Sequence, residues 1–411
     1  MGTDTNKRSK SVMISAAFLL ATSSIGPSFM TQTAQFTAQY GASFVFAIVC
    51  VIMMDIIAQT NIWSIIGVSG LRGQEIANKV LPGLGNFLIC LVSTGGFFFN
   101  IGTVGGMSLG LNALCGLNQK AGAALCGLLA ICVFLSKNAN AIVDKIAKAL
   151  GGLIIVIMVA ICFISKPPVG QVAVRLFTPE NPGSMFFSMI TMLGTCCGGY
   201  IAFAGPHRLL DENYGGAEGD LQHFRKTAWT GISVSGSVRM LIYLCALGVC
   251  TVGGTFVAEN ATAIATASNP AAEVFRLAAG NIGYRVFGLA LFAASLTSAI
   301  GTTYTSTTFL KGLHPFVARH DRWFSCGLIL VPTLILSFIG RAKEGVLLGG
   351  VANGLILPIS LSCMLLACRN KKIVGDNYKH PLWLQLLGWI VVCCAAYLAV
   401  LSFPSLLALF K

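Results

Sequence analysis

Eleven apolar runs occupy most of this chain, and each approaches the length that crosses a bilayer. They cover roughly 11–36, 42–68, 84–113, 120–136, 142–165, 184–205, 227–252, 283–309, 323–340, 344–367 and 382–409. A spanning helix needs about 20 apolar residues. In lipid, backbone polar groups find no water, so runs of this kind fold as helices that satisfy their own hydrogen bonds. The expected fold class is therefore an all-α integral membrane protein with about eleven transmembrane helices. No stretch between the runs is long and polar enough for a soluble domain, so residues 1–411 read as one transmembrane domain. Only 10% of the residues are charged, against about a quarter in soluble domains.

This pattern excludes several classes. There is no phosphate-binding loop to make an ATP-driven pump, and no catalytic constellation to make an enzyme. The net charge of +13 is orienting charge, not a nucleic-acid footprint. Lys and Arg gather on one set of alternate connections, beginning with Lys7, Arg8 and Lys10. By the positive-inside rule this predicts a cytoplasmic N-terminus and an outer C-terminus, in a bacterial cytoplasmic membrane. Most of the 15 cysteines lie inside apolar runs, where a thiol behaves as a small hydrophobe. No cofactor is expected. The expected partners are the lipid bilayer and a small ion or small-molecule substrate. Nothing in the sequence sets the oligomeric state.

Two of the runs are interrupted. The first contains "SSIGPSFMTQTA", with Gly26-Pro27 in its middle, and the sixth contains "GTCCGGYIAFAGPHR", with Gly198-Gly199. Proline removes a helical hydrogen bond, and paired glycines weaken a helix. Irregular backbone at membrane depth is tolerated where it lines a polar cavity or meets protein partners. The two interrupted runs stand five apart, the spacing of equivalent helices in a five-plus-five inverted repeat. That places repeat one at about 11–165, repeat two at about 184–367 and an extra helix at about 382–409. In such folds the substrate site lies at the midplane between the breaks. The candidate substrate-binding residues are Gly26, Pro27, Ser28, Phe29, Thr31 and Gln32 at the first break. At the second they are Thr195, Cys196, Cys197, Gly198, Gly199 and Tyr200.

Several segments resemble the NRAMP family of divalent metal transporters. "YGASFVFAIVCVIMMDIIAQTNIW" is similar to the family's second helix, with Gln59 on its usual glutamine. "IGTVGGMSLGLNALCGL" resembles the third helix, "DKIAKALGGLIIVIMVAICFI" the fifth and "FGLALFAASLTSAIGTTYTSTTFLKGL" the eighth. The resemblance implies the inverted-repeat architecture called the LeuT fold, and transport of a divalent metal cation. The family's ligands are replaced, however. Where members carry Asp-Pro-Gly-Asn at the first break, this chain has Gly26-Pro27-Ser28-Phe29. Where they carry Met-Pro-His, it has Gly198-Gly199-Tyr200. Where the third helix bears an Asp and a Glu associated with proton movement, it has Asn100 and Thr103.

A dehydrated transition metal needs charged or strongly donating ligands. The breaks offer carbonyls, hydroxyls, an amide and two thiols, and adjacent helical residues such as Cys196 and Cys197 point about 100° apart. The ligand set for any metal is thus undefined, and tight transition-metal binding is not expected. Two charged residues fall well inside apolar runs: Asp55, one turn from Gln59, and Arg239, midway along the seventh run. Charges at that depth face a partner, a cavity or a functional site. The expected function is transport of a divalent metal cation. The alternative is a carrier of an amino acid or other small organic solute on the same fold.

Overall fold

In the computed structural model the described residues are 2–136, 151–153, 155–216 and 220–408. Among the described residues the fold is helical, apart from one short antiparallel ribbon that pairs Thr251–Val252 with Thr255–Phe256. The helices that build the centre are α1 (Gly2–Ser24), α2 (Pro27–Tyr40), α3 (Phe44–Ser69), α4 (Gly73–Val80) and α5 (Leu84–Cys115). After α6 (Gln119–Leu135), α7 (Gly151–Ser165) and α8 (Val169–Phe177) come α9 (Phe186–Cys196), α10 (Ile201–Asp211) and α11 (Asp220–Cys250). The chain then runs through α12 (Ala258–Thr266), the long α13 (Pro270–Leu310), α14 (Pro315–Arg319) and α15 (Asp321–Ile339). It closes with α16 (Ala342–Ala367), α17 (Lys371–Val374) and α18 (Leu382–Ala408).

By length and composition, eight helices among the described residues can cross a membrane, or nine if the bent pair Gly151–Ser165 and Val169–Phe177 is one span. The sequence led to an expectation of eleven, and the difference has identifiable causes. The break in the first run leaves Val12–Ser24 as a short apolar helix. It also joins α2 to α3 in a stretch of 43 residues. The fourth run, Gln119–Leu135, holds 17 residues. The fifth, expected over 142–165, begins outside the described residues.

Small residues set the distances between the central helices. Lipid tails are as apolar as leucine, so membrane helices associate through close packing rather than through a hydrophobic drive, and glycine permits backbone approach. Helix α5 packs along both α13 and α16. Pro27 lies directly on Gly106 of α5, where any Cβ would overlap the proline ring. Helix α9 meets α16 in the same way. A methyl group on Gly194 would overlap the Gly350 carbonyl oxygen, and one on Gly354 the Ile190 carbonyl oxygen. The first interrupted helix is thus held on α5 through the Pro27 ring, and the second on α16 by backbone contact.

Gly194→Ala is expected to lower thermal stability by about 1–3 kcal/mol, the usual range for overpacking. Gly327→Ala, on α15 with nothing within 4 Å of the added carbon, is expected to be neutral or slightly stabilising. Unfolding curves of the two purified variants in detergent check this; equal midpoints would remove the packing account.

Candidate substrate site at the paired helix breaks

The first break opens because the backbone runs out of donors. Helix α1 stops at Ser24, Gly26 is extended (φ −98°, ψ −176°), and Pro27 starts α2. Proline has no N–H, so the Ser23 carbonyl loses the helical donor it would otherwise have. The Tyr200 hydroxyl supplies that bond, donating to the Ser23 carbonyl at 3.3 Å. Tyr200 belongs to the second break. There α9 stops at Cys196, and Gly199 adopts φ +51°, a left-handed conformation suited to glycine. The end of α9 is capped from two other helices. Ser24 Oγ donates to the Cys196 carbonyl at 3.3 Å, and Gln59 Nε2 donates to it at 3.2 Å. Each break therefore satisfies part of the other, and the two meet directly.

Two formal charges sit beside this junction. Asp55 on α3 is 2% exposed, and its Oδ1 accepts from Gln59 Nε2 at 2.8 Å. Gln59 Oε1 in turn accepts from Trp63 Nε1 at 3.0 Å. Arg239 on α11 is fully buried. Its Nη2 donates to Thr195 Oγ1 at 2.9 Å, and its guanidinium lies over the Phe29 ring at 4.0 Å from the centroid. Arg239 thus touches both broken segments. Its Nε and Nη1 are buried without a hydrogen-bond partner. No nitrogen of Arg239 comes within 4.0 Å of a carboxylate oxygen among the described residues. Asp55 lies within electrostatic reach, with the thiols of Cys196 and Cys197 beside both charges. The two ionisable residues are neighbours without forming a contact ion pair.

The structure brings together Gly26, Pro27, Phe29, Thr195, Cys196, Cys197, Gly198, Gly199 and Tyr200. Ser28 and Gln32 also meet α16. Ser28 donates to the Val346 carbonyl at 2.6 Å, so its hydroxyl serves the packing of α2 on α16. Gln32 lies against Gly350, with both ends of its amide buried and unpartnered. Thr31 is buried, and its hydroxyl also has no partner. Asn100 and Thr103 stand where the family resemblance implied acids, and they form a helix clasp instead. Asn100 Nδ2 donates to Thr303 Oγ1 at 3.1 Å and to the Leu328 carbonyl at 2.9 Å. Thr103 donates to the Asn100 carbonyl at 3.0 Å.

Ser24, Ser298 and Asn353 escaped the sequence reading. A Cβ on Gly26 would stand 2.9 Å from Ser298 Oγ, which is buried and unpartnered. Asn353 closes on Gly199, where an added carbon would overlap its Oδ1. The hydroxyl-rich run "SLTSAIGTTYTSTT" of α13 was the available signal for Ser298. Nothing local marks Asn353. Among the described residues no group of three His, Cys, Asp or Glu side chains is placed to hold a metal.

Residues 17–404 match the family profile described as natural resistance-associated macrophage protein-like. The chain belongs to the Nramp family. It is thus an Nramp-family membrane transporter with a LeuT-like fold, and not an enzyme. It is 45% identical over 390 residues to the uncharacterized membrane protein YcsG of Bacillus subtilis, covering 95% of this chain and 93% of that one. In fold the Nramp chain resembles the Eremococcus coleocola manganese transporter, with a TM-score of 0.74, 17% identity and coverage of 98% and 88%. It also resembles Mhp1, a nucleobase-cation-symport-1 family transporter solved with bromovinylhydantoin bound, with a TM-score of 0.60, 13% identity and coverage of 96% and 92%.

Removing one of two neighbouring buried charges leaves the other uncompensated, at a cost of roughly 3–5 kcal/mol where the coupling is strong. Asp55→Asn and Arg239→Gln are therefore expected to be non-additive, with the double variant recovering at least about 1 kcal/mol of the summed loss. Thermal unfolding of the three variants measures it, and strictly additive losses would show that the charges act independently.

Proposed function

We propose that this transporter carries a small organic solute bearing a carboxylate group, with Arg239 as the group that recognises the anion. One observation carries the reading. A fully buried guanidinium touches both broken segments and has two nitrogens with no partner. Guanidinium groups bind carboxylates through paired, charge-assisted hydrogen bonds. Phe29 below it leaves an apolar wall of the kind that lines small-molecule sites.

The same guanidinium weighs against a bare divalent cation. A divalent ion about 6 Å from a unit positive charge is repelled by roughly 5 kcal/mol at an effective dielectric of about 20. Asp55 offers a single carboxylate in return, already bonded to Gln59. Gly26 and Phe29 contribute no side-chain ligand, and metal selectivity depends on ligand type. The metal reading is supported by family membership and by the fold shared with the E. coleocola manganese transporter. It stands second, because fold does not fix function and the chemistry of this site differs.

The test is a binding screen on purified protein with L-lactate, pyruvate, succinate, L-alanine, magnesium and manganese. A binder raises the unfolding temperature by mass action. One or more of the carboxylates is expected to stabilise the wild type and not Arg239→Gln, while manganese binds weakly or not at all by calorimetry. Submicromolar manganese binding that is lost in Cys196→Ser and Cys197→Ser, with no carboxylate effect, would overturn the reading and make the thiols metal ligands.

A further inference from the structure

The charge balance of the junction carries a further step, which rests on the carboxylate reading above. Asp55 and Arg239 are the two buried formal charges beside the breaks. Among the described residues the other buried carboxylate, Glu273, is already engaged by Arg276 on its own helix. With Asp55 ionised, the junction carries one negative and one positive charge and is neutral. A bound monocarboxylate adds a second negative charge. Both negative charges then share one guanidinium, in surroundings where an uncompensated ion costs several kcal/mol. Arg239 cannot change its charge to restore the balance.

The groups facing Asp55 decide where the balance is restored. From its own helix comes Gln59, which is neutral and donates to Oδ1. From the end of α9 come the thiols of Cys196 and Cys197, and from α11 comes Arg239. From α1 the Ser24 hydroxyl reaches the junction, where it is committed to the Cys196 carbonyl. No other titratable base among these groups can accept a proton, since a neutral thiol can only lose one. The family resemblance assigned proton movement to the third helix. The corresponding residues here, Asn100 and Thr103, are neutral and locked in a clasp.

We propose that Asp55 is a proton-binding site coupled to the substrate site: a carboxylate binding at Arg239 is accompanied by one proton from solution on the Asp55 carboxyl, so that the two are carried together. In the occupied site the substrate anion faces Arg239, and Asp55 is a neutral acid that keeps its hydrogen bond from Gln59. No covalent bond changes; one proton moves from water to a carboxylate oxygen. By linkage, the substrate raises the affinity of Asp55 for the proton, and the proton raises the affinity of the site for the substrate by the same factor. A zwitterion behaves differently, because its ammonium can face Asp55 and no proton is needed.

The test measures protons taken up per molecule bound, by calorimetry in buffers of different ionisation enthalpy, with L-lactate and pyruvate as probes. Wild type is expected to take up close to one proton per monocarboxylate, and its Kd should rise up to tenfold per pH unit above the titration range of the free site. Asp55→Asn is expected to take up none and to show a flat Kd against pH. Asp55→Glu should restore uptake with a displaced midpoint. Should Asp55→Asn fail to fold, the infrared difference spectrum of wild type with carbon-13-labelled L-lactate decides. A new protonated-carboxyl band supports the proposal, and its absence opposes it. Monocarboxylate binding without proton uptake overturns the proton site and leaves the carboxylate reading standing. Binding of no monocarboxylate overturns both. Proton uptake that persists in Asp55→Asn overturns the assignment to Asp55.

Discussion

The structure depends on how backbone groups are satisfied where two helices stop inside an apolar medium. Each lost helical bond must be replaced by protein, because lipid supplies none. Here the replacements are reciprocal. Tyr200 from the second break serves the Ser23 carbonyl of the first, and Ser24 from the first serves the Cys196 carbonyl of the second. Gln59 completes the cap from α3. The glycine contacts of α5 and α16 act one level below. They bring backbone to backbone, so that side chains as short as serine can reach across. A shift of α9 away from α16 would therefore loosen more than packing; it would also strand a carbonyl of the site.

Gln59 links that framework to the charges. Its amide nitrogen is shared between the Cys196 carbonyl and Asp55, and its oxygen is held by Trp63. The orientation of the amide is thereby fixed, and with it the position of the Asp55 carboxylate. Arg239 is held by different means, a hydroxyl and an aromatic face. These hold the guanidinium plane while leaving nitrogens free. Asp55 is engaged through the framework, whereas Arg239 retains donors for something else.

The fold was legible because hydropathy at this scale allows few alternatives. Helix-breaking residues in two runs five apart then pointed to both interruptions. Part of the difference between eleven apolar runs and the eight or nine full-length helices among the described residues comes from the first break, which leaves Val12–Ser24 as a short helix. The site was legible only in part. Periodicity cannot tell that Ser28 turns to α16 or that Gln32 faces Gly350, because both follow from where neighbouring helices lie. Ser298 and Asn353 reach the breaks from α13 and α16, more than 270 residues away in sequence from Gly26 and 154 from Gly199. Contacts at such separation leave no local pattern. The proximity of Asp55 and Arg239 was likewise a question the sequence could raise but not answer.

The family's fold and its metal chemistry are separable for a physical reason visible here. The groups that cap the two breaks are neutral side chains that donate to backbone carbonyls. The caps are Ser24, Gln59 and Tyr200, and each bonds a carbonyl of the other segments. The interruption therefore needs no cation to hold it open. Residues facing the junction can then change charge without costing the break its shape. In this chain those positions hold glycine and phenylalanine, and the ring packs under a guanidinium supplied from α11. A site whose geometry is set by its own backbone can exchange a cation for an anion by changing two or three side chains. The remaining constraint is electrostatic, because a charge entering beside the buried Asp55 and Arg239 changes the balance there.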